Sequence, residues 1–112
     1  MKFYILEDQI VISDKALTQG VELTVNTSDG AHEKHVPVVE QNGNTVTVKV
    51  GSVEHPSLPE HYIEWILLET EQGFQIHYLK PGMKPVAIFF TTEKVKAAYE
   101  YCNLHGLWKA EA

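Results

Sequence analysis

The stretch His35-Val36-Pro37-Val38-Val39-Glu40-Gln41-Asn42-Gly43-Asn44-Thr45-Val46-Thr47-Val48-Lys49-Val50 decides the fold. Within Gln41–Asn44, Asn-Gly readily takes the positive φ values of a type I′ hairpin turn. Beyond it, Thr45–Val50 alternates β-branched residues with period two, as a half-buried strand does. Before it, His35–Glu40 is the partner strand, with Pro37 at an edge or at the start because proline donates nothing to a ladder.

The same pattern extends outward. Residues 51–60 form a loop holding Pro56 and Pro59. Tyr62–Glu69 resumes the alternation, with Ile63, Trp65 and Leu67 on one face and Tyr62, Glu64, Ile66 and Leu68 on the other. Glu71-Gln72-Gly73 turns the chain into a strand over Phe74–Leu79, and Pro81-Gly82 turns it into Val86–Thr91. In Val95–Cys102 the run Lys96-Ala97-Ala98 suits a helix. The flanking strands, and Tyr99 and Tyr101 on one face, favour a strand. Roughly seven short strands at close spacing predict an all-β chain, an immunoglobulin-like antiparallel β-sandwich. The start of the chain is shorter in its runs and interrupted by polar residues. It reads as a short N-terminal appendage without metal ligands, residues 1–22, packed on a sandwich domain of residues 23–112.

A chain of 112 residues, 44% of them hydrophobic, fits one globular domain with a usable core. No apolar run approaches the ~18 residues of a membrane span. The start Met1-Lys2-Phe3-Tyr4-Ile5-Leu6 lacks the basic segment and cleavage site of a secretory signal, so a cytoplasmic location is expected. The single cysteine cannot form an intrachain disulfide and suits a reducing compartment. The formal charge is −6, without one arginine, which argues against nucleic acid as a partner. An acidic surface suits a partner of complementary charge, although solubility alone accounts for most acidic proteins.

The chemistry sits in Cys102-Asn103-Leu104-His105-Gly106-Leu107-Trp108, preceded by His35, His55 and His61. One thiolate with several imidazoles is a metal-ligand set. It is too rich in nitrogen for a four-sulfur iron site, and five donors exceed the four of a structural zinc. The set points to a redox metal with one position left open. His55 and His61 would stand roughly 20 Å apart in an extended strand, so both can reach one ion only if the intervening chain folds back. Pro56 and Pro59 are placed to do that. Cys102 and His105, three apart before Gly106, can share an ion across a tight turn whose amides can point at the sulfur. Glu33 and Lys34 precede His35 and can reach the same ion or place a cation beside it; the plainer alternative is a solvated ion pair. His32 and His77 read as surface histidines. Trp65 and Trp108 read as core aromatics, either of which could shield a metal from water.

Taken together, Glu33-Lys34-His35-Val36-Pro37, then Val48-Lys49-Val50-Gly51-Ser52-Val53-Glu54-His55-Pro56, then His61-Tyr62-Ile63-Glu64-Trp65-Ile66, then Tyr101–Lys109 closely resemble the superoxide reductases, the family of desulfoferrodoxin and neelaredoxin. The resemblance spans about residues 22 to 110 and matches five ligand positions in order and separation. It implies one mononuclear iron (Fe2+/Fe3+), with His35, His55, His61 and His105 in a square plane and Cys102 axial. Opposite Cys102 it implies a position that is open in the ferrous state and taken by Glu33 in the resting ferric state, with Lys34 beside it. The implied activity is one-electron reduction of superoxide to hydrogen peroxide. The implied partners are superoxide, a small donor such as rubredoxin, and further copies of the chain in a dimer or tetramer. The chain departs from desulfoferrodoxin at its N-terminus, where Phe3–Ile10 carries no cysteine, so no second cysteine-ligated iron is expected. The loop Ser57-Leu58-Pro59 is also less charged than is usual in the family. Two other readings stay open from the residues: a non-enzymatic β-sandwich module with a structural metal, and dismutation of superoxide.

Overall fold

A computed structural model of the chain describes residues 1–28 and 35–112. The described residues form eleven strands and no helix. These are β1 (Lys2–Leu6), β2 (Gln9–Ser13), β3 (Val21–Glu22), β4 (Val25–Asn26), β5 (Pro37–Asn42), β6 (Thr45–Val50), β7 (Ile63–Thr70), β8 (Gly73–Tyr78), β9 (Val86–Phe90), β10 (Val95–Cys102) and β11 (Gly106–Glu111). Thus no helix among them is long and apolar enough to cross a membrane.

The hairpin expected at Gln41–Asn44 joins β5 to β6, with Asn42 paired to Thr45. The two turn residues are therefore Gly43 and Asn44, one position later than an Asn-Gly turn requires. Only Gly43 of the two is left-handed, at φ 62. A glycine at the first turn position belongs to the type II′ pattern, which fits strand twist as well as type I′ does.

Three sheets stack as layers. The five-stranded sheet β4-β11-β10-β7-β8 lies in the middle. It is antiparallel except where β4 runs parallel to β11. On one face lies the sheet β5-β6-β9, and Val46, Val48, Phe89, Ile66, Leu68 and Ala98 fill the space between them. These two sheets are the immunoglobulin-like sandwich that the strand pattern predicts. On the other face lies the sheet β2-β1-β3. Its Phe3 packs with Trp65, Leu67, Ala97, Tyr99 and Leu107 in a second core. The Phe3 ring lies 5.8 Å from Trp65 and 4.9 Å from Tyr99. A strand covered on both faces buries successive residues, and Trp65, Ile66, Leu67 and Leu68 are all buried.

Strict alternation misplaces Ile63. Tyr101 pairs with Trp65, but Cys102 pairs with Ile63, so Glu64 is the extra residue of a β-bulge. The bulge turns Ile63 from the Trp65 face to the face of Ile66 and Leu68, where it joins the sandwich core. The turn after β1 is also unusual: Glu7 and Asp8 have φ 51 and 62. Both are left-handed, as type I′ geometry needs, without glycine to relieve the Cβ crowding.

Candidate metal centre

Three segments carry the expected donors, and each is shaped locally by its sequence. His35 stands just before β5. His55 and His61 bracket the proline loop. His61 donates its N–H to the Leu58 carbonyl at 3.0 Å and accepts from the Leu58 N–H at 2.9 Å. Pro59-Glu60 is thus a two-residue turn, and the chain folds back as the prolines predict. Cys102 ends β10 and His105 lies in the turn before β11, where Gly106 takes φ +85.

One donor atom from each of His35, His55, His61, Cys102 and His105 lies within 4.8 Å of all the others. The four imidazoles form a closed cycle of edge-to-face neighbours. His35 adjoins His55 at 4.7 Å between ring centres and His105 at 4.8 Å. His61 adjoins the same two, at 4.7 and 5.1 Å. The cycle sets His35 across from His61 and His55 across from His105.

The nitrogen spacing fits one ion. Two nitrogens bound at right angles through bonds of about 2.1 Å stand about 3.0 Å apart. His55 Nε2 and His35 Nε2 are 3.1 Å apart, and His105 Nδ1 and His35 Nε2 are 3.2 Å apart. Cys102 Sγ lies 3.6 Å from His55 Nε2 and 3.8 Å from His105 Nδ1, the wider spacing that suits a larger donor with longer bonds. Cys102, His35 and His55 are buried, whereas His105 is exposed. His55 Nδ1 donates to the Pro56 carbonyl at 2.7 Å. That bond keeps the proton on Nδ1 and turns the Nε2 lone pair toward the cluster.

Sequence reasoning missed Asn103. Its Oδ1 accepts from the Tyr62 N–H at 2.9 Å, and its Nδ2 donates to the Glu60 carbonyl at 3.1 Å. It straps the turn carrying Cys102 and His105 to the loop carrying His61. The only hint was an amide side chain inside a ligand motif. Glu100 was missed too: fully buried, it pairs in register with Ile66 and Trp108, two residues before Cys102. Glu33, Lys34 and His32 lie outside the described residues. His77 is exposed, as expected, with its ring stacked on Phe89 at 4.3 Å.

Fold and donor cluster define a β-sandwich with one candidate mononuclear metal centre. Residues 27–111 match the family model described as Desulfoferrodoxin, and the chain belongs to the desulfoferrodoxin family. It is 50% identical to a desulfoferrodoxin of Clostridium acetobutylicum, over 80% of this chain and 71% of that one. It is 40% identical to a superoxide reductase of Thermococcus kodakarensis, over 79% of this chain and 93% of that one. Among solved structures, the superoxide reductase of Treponema pallidum is 39% identical, with a TM-score of 0.85 over 99% of both chains. A superoxide reductase of Giardia intestinalis is 38% identical, with a TM-score of 0.62 over 71% of this chain and 97% of that one.

Proposed function

We propose that the protein is a superoxide reductase: superoxide, one electron and two protons give hydrogen peroxide at one iron held by His35, His55, His61, Cys102 and His105. The observation that carries this reading is the square cycle of four imidazoles with a single sulfur beside it. Iron held there supplies the electron, which zinc, with no accessible redox couple, cannot.

The remaining chemistry belongs to the chain. Cys102 would hold the iron through its thiolate, together with the four imidazoles, and its donated electron density would favour release of the reduced product. Lys34, next to His35 in sequence, draws superoxide in against the net charge of −6. Local charge wins because exposed charges are screened beyond a Debye length of about 8–10 Å. Lys34 would order water that supplies protons to the product, and Glu33 would offer a carboxylate to the iron between turnovers.

A small redox protein of the rubredoxin kind returns the electron, and the chain works as a homo-oligomer of two or four copies. A cytoplasmic location fits the single thiol, which suits a reducing compartment. Residues 1–22 serve as a structural layer, and residues 23–112 hold all five donors and carry the chemistry.

Metal analysis with a visible spectrum of the oxidised protein tests the assignment. Iron, with a thiolate charge-transfer band that Cys102→Ser abolishes, is expected. A colourless ion bound equally well by the serine variant supports a structural-metal module instead.

A further inference from the structure

Trp108 belongs to neither hydrophobic core among the described residues. Its ring lies face to face with His35, at 4.8 Å between ring centres and 14° between planes. Its Nε1–H donates to the His105 carbonyl at 3.1 Å. His35 and His105 in turn touch through their ring nitrogens at 3.2 Å. The three residues form a closed triangle with two metal donors at its corners.

The exposed donor, His105, needs outside support. His105 sits in an exposed turn beside exposed Leu104. An imidazole's second torsion is broad, so a histidine with nothing against its face samples many ring planes. Trp108, in contrast, is fixed on β11, paired in register with Glu100 on one side and Asn26 on the other. A side chain on a doubly paired strand can hold groups that sit on loops.

We infer that Trp108 is a positioning residue for two donors of the centre at once. Its indole face sets the plane of the His35 ring, and its N–H fixes the backbone of the His105 turn. The inference rests on the five-donor reading of the site, but part of its test needs no metal.

Trp108→Phe keeps an aromatic face and loses the N–H; Trp108→Leu loses both. In metal-free protein, the ring current of Trp108 shifts the carbon-bound His35 ring protons upfield. That shift persists in the phenylalanine variant and vanishes in the leucine variant. A chelator strips iron(II) about 10-fold or more faster from the leucine variant and a few-fold faster from the phenylalanine variant, well below either melting temperature. The charge-transfer band of the oxidised protein also moves in the leucine variant. A merely structural tryptophan lowers the melting temperature and leaves stripping rate and band unchanged; that result overturns the inference. Should the leucine variant not fold, the wild-type and phenylalanine proteins still decide. An unshifted His35 spectrum rejects the stack, and a wild-type stripping rate in the phenylalanine variant rejects the hydrogen bond. Failure of the wild-type protein to hold iron rejects the site reading instead, and the metal-free spectra then judge Trp108 alone.

Discussion

His35 and His55 hold their Nε2 atoms 3.1 Å apart, although twenty positions separate them in the chain. That spacing suits two donors of one ion. Titrating iron(II) or zinc(II) into the metal-free protein should release protons, because the Cys102 thiol must ionise to ligate, measurable as a buffer-dependent heat. Affinity should fall steadily as pH drops from about 8 to about 5, because a ligating imidazole must be neutral and a ligating thiol ionised.

Phe3 makes the N-terminal layer part of the fold. It is 1% exposed and packs with Trp65 and Tyr99 on the back of the sheet that carries Cys102. Phe3→Ala should cost about 3–5 kcal/mol in denaturant unfolding. Loss of under about 1 kcal/mol would mean that the layer is loosely attached.

Glu64 gives a pH signature with a definite sign. Burial raises its carboxyl above the ordinary value, so the folded state keeps the proton to higher pH than the unfolded chain. Stability from this group is highest in acid and falls as pH rises through the ordinary carboxylate value to the raised one. Glu64→Gln should therefore be more stable than the parent near neutrality, with the difference vanishing in acid. Glu64 is only partly buried, so the effect is small. Thermal melts across that range check it.

Lys34 is the proposed attractor for the anion. Lys34→Ala should slow superoxide capture in pulse radiolysis and flatten its dependence on ionic strength. An unchanged second-order rate removes Lys34 from that role.

Much of this was legible in the chain because it rests on local rules. Gly43 with its flanking β-branched run marks a hairpin, and Pro56 and Pro59 mark a fold-back, without reference to distant residues. The donors were legible because one thiol with several imidazoles is a ligand set, and because five positions together match the superoxide reductase pattern; each spacing by itself was a weak signal. Other features depend on partners far away in sequence. Ile63 changes face because a bulge at Glu64 adjusts β7 to β10, and period two carries no sign of it. The last strand, β11, was not read, since Leu107-Trp108 was taken up by the ligand motif. Asn103 and Trp108 gain their roles only when residues about 40 and about 70 positions away are brought beside them.

The central claim is that this centre passes an electron to superoxide and takes none from it. The direct test supplies superoxide in pulses to iron-loaded, pre-reduced protein and measures peroxide and oxygen together. One peroxide for each superoxide consumed, with no oxygen formed, is the predicted result. Oxygen appearing alongside peroxide at half that yield, or no loss of superoxide at all, contradicts it.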